Sequence, residues 1–326
     1  MSETVFKRQN NIERVYSAEN GVRVRDIEID CGIDTPVRIG FVTDLHFNYC
    51  NEKDIAEADP VLMSTVEHRK WLANAASVPN ARHSLEILES TDQIVIGGDV
   101  LDYLSEGTME IMDREVWGKY PNVLVAVGGH ELARKMQGIV EETTTYKERL
   151  EMIKKYWKHD IYYVSRLLKG RVMVAVMLND KASFNGHQKE RLQEDINRAR
   201  KNGYPILLFF HEPIRTRNPS ERDFTCDRAI TVGDPSPFPM NYCDGTYLGY
   251  PCLAGNEMSD RTTKEVFALI TENADVIRGV FAGHQHNDCY TEIIGKLPDG
   301  SETVIPQFIF IGTPYEKGNS ALITVK

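Results

Sequence analysis

Near-continuous apolar, β-branched residues closed by turn residues recur in VRIGFVTD (37–44), QIVIGGD (93–99), NVLVAVGGH (122–130), RVMVAVMLND (171–180), PILLFFHE (205–212) and DVIRGVFAGH (275–284). Runs this short, without alternation, predict strands covered on both faces, the central strands of a layered sheet. Between them, ARHSLEILES (81–90), TTYKERLEMIKKYW (144–157), GHQKERLQEDINRARKNG (186–203) and TTKEVFALITENA (262–274) carry apolar residues at helical spacing. Helix after strand at this rhythm predicts an α/β architecture with ligands gathered at the carboxyl ends of the strands. The C-terminal IPQFIFIGTPYEKGNSALITVK reads as two strands joined by a Gly-containing turn, which predicts an antiparallel hairpin at a sheet edge.

Two segments break the rhythm. Residues 47–80 form a polar, then helical insertion, and 213–260 form a Pro/Gly/Cys-rich loop containing GDPSPFPMNYCDGTYLGYPC. A loop of that length in a compact domain points to a lid or substrate wall, with a plain surface elaboration as the alternative. At 326 residues, the chain reads as one large α/β domain spanning 1–326 with these two insertions.

Composition narrows the chemistry. The net charge of -10 is spread along the chain, and the densest basic stretch, KERLQEDINRARK (189–201), is interrupted by acids. Such mixing marks a solvated helix face and argues against a nucleic-acid groove. An acidic enzyme acting on an anionic substrate needs local cations, which bound metal ions supply. MSETVFKRQN has no basic and apolar secretory pattern, and VMVAVML (172–178) and ILLFF (206–210) are too short to span a membrane, so a soluble cytoplasmic protein is expected. Six cysteines at irregular spacings, with no CxxC, argue against a zinc ribbon or a dense disulfide framework; ordinary thiols are expected.

The ionisable residues fall at strand ends. Asp44 and His46 close the first run, Asp99 and Asp102 the second, His130 and Glu131 the third, His211 another, and His284 and His286 the last. Residues i and i+2 of an extended segment point to one side, so each of the pairs Asp44/His46 and His284/His286 is expected to present two ligands in one direction. Glycines 97, 98, 128, 129 and 283 beside them allow tight or left-handed turns. Singly, each residue has a plain explanation, Asp44 as a helix cap or His211 as a satisfied core histidine. Jointly, five strands ending in one ligand chemistry do not follow from turn composition. A mixed imidazole and carboxylate set suits manganese, iron, zinc or nickel over magnesium or calcium.

FVTDLHF, IGGDVLD, GGHE, FFHEP and AGHQH, in this order, resemble the five blocks of the calcineurin-like metallophosphoesterase superfamily: DxH, GDxxD, GNH(D/E), a lone H, and GHxH. The resemblance implies a four-layer α/β/β/α sandwich with a dinuclear metal site, and a phosphatase or phosphodiesterase acting on a small phosphorylated substrate. It places a first divalent ion on Asp44, His46, Asp99 and His286, and a second on a shared Asp99, His211 and His284. Hydroxide bridging the two ions would be the nucleophile. His130 would assist the leaving group, Glu131 would orient or charge-stabilise that imidazole, and Asp102 would hydrogen-bond a ligand histidine. With Asp102 where purple acid phosphatases carry tyrosine, the resemblance is to the wider superfamily rather than that branch.

One position departs from the pattern. Gly129 stands where the family has an Asn that donates its carbonyl oxygen to the second metal and helps hold the phosphate. Three readings follow: an active enzyme with a looser second site, a second site that stays empty until substrate brings its own oxygen ligands, or a metal-binding regulatory protein with impaired catalysis. Arg215, after FFHEP, and Lys181, after VMLND, are further candidates to reach a phosphate.

Overall fold

The computed structural model describes residues 4–57, 59–69, 76–133, 144–179, 184–215, 241–242, 260–313 and 317–326. In chain order the strands are β1 (Thr4–Lys7), β2 (Asn11–Ser17), β3 (Arg23–Ile29), β4 (Val37–Val42), β5 (Gln93–Ile96), β6 (Leu124–Val125), β7 (Tyr163–Leu168), β8 (Val172–Met177), β9 (Ile206–Phe209), β10 (Ile214–Arg215), β11 (Asn241–Tyr242), β12 (Ile277–Ala282), β13 (Cys289–Lys296), β14 (Glu302–Ile309) and β15 (Asn319–Val325). The helices are α1 (Glu52–Glu57), α2 (Pro60–Arg69), α3 (Ser77–Leu88), α4 (Glu106–Met112), α5 (Tyr146–Tyr156), α6 (Gly186–Asn202) and α7 (Asp260–Thr271). A π turn, Asp113–Trp117, follows α4, and His130–Leu132 form a 3-10 turn.

Side-chain alternation builds the layers. On β4, Ile39 and Phe41 point to one face, where they meet Phe209, Phe281 and Phe308 of a second sheet. Val42 points to the other, against Leu85 and Leu88 of α3. Each such buried side chain contributes on the order of 1.5–3 kcal/mol. Three apolar layers result: one between the sheets, one under α3, α4 and α5, and one under α6 and α7. The architecture is therefore the α/β/β/α sandwich expected from the sequence.

One sheet runs β1-β2-β3-β15-β4-β5-β6 and the other β13-β14-β12-β9-β8-β7, with β10 and β11 as a two-residue pair. β4, β5 and β6 are mutually parallel, as are β8, β9, β12 and β14. The C-terminal hairpin does not form. β14 pairs with β12 and β13, whereas β15 crosses to the other sheet and lies parallel to β3 and antiparallel to β4. Burial explains the difference, because β15 is covered along most of its length and belongs in a sheet interior rather than at an edge. The 122–130 run supplies only the two-residue β6, whose free edge is closed by side chains: Val125 N–H donates to His159 Nε2 at 3.0 Å and Trp157 Nε1 donates to Val125 C=O at 3.1 Å.

The segment after β4 provides α1 and α2. Most of the 213–260 loop, together with Lys181, lies outside the described residues. Cys289 is disulfide-bonded, against the expectation of ordinary thiols, while Cys31 and Cys50 are free. Irregular spacing in sequence does not reveal a partner that the fold brings close. Among the described residues, no helix is long and apolar enough to cross a membrane.

Candidate metal centre

The strand ends from both sheets meet. Past β4 and β5 the two chains stay zipped, with Asp44 N–H donating to Gly98 C=O and His46 N–H to Asp99 C=O, both at 2.9 Å. The second sheet joins through Gly283 N–H to His211 C=O at 3.0 Å, and His284 N–H donates to the Asp44 carboxylate at 3.1 Å. Asp44, His46, Asp99, His284 and His286 all have left-handed backbones, with φ of 52°, 47°, 49°, 70° and 50°. Such conformations cost on the order of 1–3 kcal/mol each and persist only where the surroundings over-determine them.

That geometry corrects the expectation of extended i, i+2 pairs. Asp44 and His46 do converge, but through left-handed turns, and His284 and His286 part to serve different clusters. The glycines act mainly by omission of a side chain. A Cβ on Gly283 would lie 2.1 Å from Thr43 Oγ1 and 2.2 Å from Asp44 Oδ2, and one on Gly128 would lie 2.2 Å from Asp99 Oδ1. Gly129, by contrast, has an ordinary helical backbone at φ -67°, so the turn does not require glycine there.

Among the described residues, three sets that could hold a metal have their atoms within 4.8 Å of one another: Asp44, His46 and His286; Asp99, His211 and His284; and His46, Asp102 and His130. The hydrogen bonds fix which atoms face inward. His211 Nδ1 lies 2.9 Å from Gly97 C=O, which only accepts, so Nδ1 carries the proton and neutral His211 turns its Nε2 lone pair to Asp99 Oδ2 at 3.0 Å and His284 Nδ1 at 3.2 Å. Likewise, His46 Nδ1 donates to Asp102 Oδ1 at 2.9 Å, leaving Nε2 to face His286 Nε2 at 3.2 Å and Asp44 Oδ1 at 3.8 Å. Lone pairs crowded at such distances repel unless a cation sits among them. The donor set therefore fits one divalent ion in each of the first two clusters.

The electrostatics agree. Burial opposes charge on Asp44, but His211, His46 and His286 outweigh it and hold the carboxyl at about 2. Asp99 is held well below the ordinary range by His211 and His130 against the same burial. Burial also opposes protons on the imidazoles; at His46 the carboxylates of Asp102, Asp44 and Asp99 prevail and push it to about 9, and at His211 Asp99 and Asp44 raise it well above its usual value. Burial and repulsion from His211 push His284 down to about 3, and burial with repulsion from His46 takes His286 to about 4.

His130 stands at the rim, its side chain 28% exposed. Its Nδ1 donates to Asp102 C=O at 2.7 Å, which leaves Nε2 facing the centre 3.9 Å from Asp99 Oδ2. Glu131 does not orient that imidazole. Its carboxylate accepts from the backbone N–H groups of Asp99 and Leu101, both at 3.0 Å, and of Gly128 at 2.7 Å, tying the loops after β5 and β6 together. The 3-10 turn swings consecutive side chains apart, so His130 and Glu131 face different partners. Burial and the charge of Asp99 push Glu131 up to about 7, against the pull of the Leu101 and Gly128 amides.

Asp102 meets His46 and has a further partner the sequence did not suggest. Arg69 of α2, itself buried, donates Nη2 to Asp102 Oδ1 at 2.6 Å and Nε at 3.0 Å. Asn179, after β8, is a second unforeseen support; its Oδ1 accepts from His211 N–H at 3.1 Å and Glu212 N–H at 2.9 Å. The Arg215 side chain lies outside the described residues.

No model of a known protein family and no curated protein matches the chain in sequence. Among solved structures, it is similar to the purple acid phosphatase PPD1 from yellow lupin (Lupinus luteus) seeds, with 12% identity and a TM-score of 0.44 over 96% of this chain and 49% of that one. It is also similar to a dimetal phosphatase from Danio rerio, with 11% identity and a TM-score of 0.39 over 88% of this chain and 91% of that one. The chain spans about half the length of the lupin protein.

Proposed function

We propose that the protein is a metal-dependent phosphoester hydrolase, a phosphatase or phosphodiesterase. The observation that carries this reading is the convergence of two lone-pair-rich clusters, Asp44/His46/His286 and Asp99/His211/His284, at strand ends from both sheets. Two divalent ions on these donors would supply Lewis acidity toward a phosphoryl oxygen and would lower the pKa of water. Asp99 is grouped with His211 and His284 and not with Asp44, His46 and His286; it is bonded through Oδ1 to His130 N–H at 3.0 Å and faces His211 Nε2 through Oδ2, and as a carboxylate shared by both ions it would have to reach the first cluster as well. With Nδ1 donating to Asp102 C=O, His130 faces the centre with Nε2, which would meet the leaving oxygen with a proton or hydrogen bond in the imidazolium form, after taking up a proton from water. Glu131 keeps the loops of Asp99 and His130 in register, and the substrate would be a small phosphorylated molecule.

A second reading is a metal-binding regulatory protein with little turnover. Gly129 favours it, because the residue before His130 brings no side-chain donor to the Asp99/His211/His284 cluster. The test is a metal count on the purified chain loaded with manganese, iron or zinc, beside hydrolysis of p-nitrophenyl phosphate and bis(p-nitrophenyl) phosphate. Two ions and turnover of either ester are expected. One ion without turnover selects the regulatory protein, and activity that appears only on Gly129→Asn would do the same.

A further inference from the structure

Helix α2 turns Leu62, Thr65 and Arg69 inward, at 1%, 2% and 4% exposure. Positions i, i+3 and i+7 form the core stripe of a helix, where an arginine is tolerated only with a partner that answers its charge. Here that partner is Asp102, whose side chain is fully buried. Oδ1 accepts from Arg69 Nε and Nη2 and from His46 Nδ1, while Oδ2 lies 3.2 Å from Arg69 Nε. The backbone carbonyl of the same residue accepts from His130 Nδ1. Asp102 therefore holds two functional histidines by different atoms, and Arg69 holds Asp102.

The physical consequence follows from geometry. A carboxylate gripped by a guanidinium cannot rotate about its Cβ–Cγ bond without losing a charge-assisted bond. With Oδ1 fixed, His46 keeps its proton on Nδ1 and offers Nε2 inward, and outer partners of this kind typically alter metal affinity 10–100-fold. We infer that Arg69 is a positioning residue of the metal centre, which sets the affinity of the Asp44/His46/His286 site through Asp102 and so makes that site depend on the helical insertion. The inference rests on the metal-centre reading and not on turnover.

The experiment uses the full chain and compares wild type with Arg69→Met, Arg69→Lys, Asp102→Asn and the Arg69→Met/Asp102→Asn double variant. Manganese and zinc affinities are read by chelator competition, and the cobalt-loaded forms by their visible spectra. His46→Ala and His284→Ala identify which ion is which. Arg69→Met is expected to weaken the His46 ion 10–100-fold and change its cobalt spectrum, leaving the His284 ion unchanged. Arg69→Lys, with the charge but not the fork, should fall between; should Arg69→Met fail to fold, this variant and Asp102→Asn carry the test. The double variant should be no weaker than Asp102→Asn alone.

Wild-type affinity in Arg69→Met, equal weakening of both ions, or additive loss in the double variant overturns the inference and leaves Arg69 as a plain buried ion pair. A wild type that binds both ions but hydrolyses no phosphoester removes the hydrolase reading and leaves this one standing. A wild type that takes up no ion overturns both.

Discussion

Glu115, in the π turn after α4, and Asp99, after β5, are carboxylates with side chains only 2% and 3% exposed, yet their neighbours differ in kind. Glu115 is surrounded by Arg82 at 2.6 Å, Lys119 at 2.7 Å and Arg114 at 3.0 Å, three permanent cations whose own side chains reach solvent. Asp99 faces His211 at 3.0 Å and His130 at 3.9 Å, and is paired with no arginine or lysine among the described residues. A carboxylate saturated by permanent cations has nothing left to offer. One that faces imidazoles, which shed their protons, can exchange those protons for a metal. Asp102 is intermediate, sharing itself between Arg69 and His46.

Breaking the Asp99 side of this contrast has the largest expected effect. Asp99→Asn removes charge from the middle of the centre, and turnover of p-nitrophenyl phosphate should fall at least roughly a thousandfold, on the order of 4 kcal/mol of transition-state stabilisation. Undiminished turnover in metal-loaded Asp99→Asn would show that this carboxylate is as structural as Glu115. Next in size is the stabilisation by metal itself. At about a hundred times the Kd, each ion adds about 2.7 kcal/mol, a rise of several degrees in the melting temperature that a chelator reverses. A melting curve indifferent to both ion and chelator would erase the distinction between the two clusters.

Much of this contrast was legible in the sequence. Strands buried on both faces announce themselves as unbroken apolar runs, and the residues of the clusters stand out because they close such runs. Sheet membership was not legible: β14 and β15 are neighbours in sequence, but β15 is held by long-range pairing to β3 and β4. The N-terminal strands were missed for another reason. NIERVYS and RVRDIEI mix charged and apolar residues along half-covered strands and give no continuous run. Arg69 left no signal, since PVLMSTVEHR has almost no apolar face to betray its inward stripe. The partners of Glu131 left no signal either, since they are backbone amides, which sequence does not reveal.

Glu115→Gln tests the other side. Its four bonds, from three cations, are charge-assisted but its partners are well solvated, so the expected loss at pH 7 is about 1–2 kcal/mol, with the metal-induced rise in melting temperature unchanged. Its side-chain bonds, Arg82 first, hold the carboxyl below the 4.5 of the unfolded chain even against burial. For a depressed acid the stabilisation is complete above the unfolded value and is lost as pH falls through the folded one. The gap between wild type and Glu115→Gln should therefore be constant above about pH 5 and narrow steadily on acidification, as read by urea denaturation at each pH. A gap that widens in acid would mean that Gln repairs less than neutral Glu, and that the ion pairs are not the source of the effect.

The smallest expected effect belongs to Gly129, the residue before His130. Because Gly129 has φ -67° and ψ -31°, a backbone open to any L-residue, Gly129→Asn introduces a side chain without conformational strain. One added oxygen donor is expected to tighten the ion at the Asp99/His211/His284 cluster about tenfold, roughly 1.4 kcal/mol, and to leave the His46 ion unchanged. Chelator competition, with His284→Ala to identify the site, reads this directly. Unchanged affinity at both sites would mean that the amide does not reach the ion from this turn, so that glycine at 129 is neutral for metal binding and the regulatory reading loses its motive. Tightening without a gain in turnover would be more informative still, since it would separate the strength of the second site from catalysis and return the question to His130 and the loops that hold it.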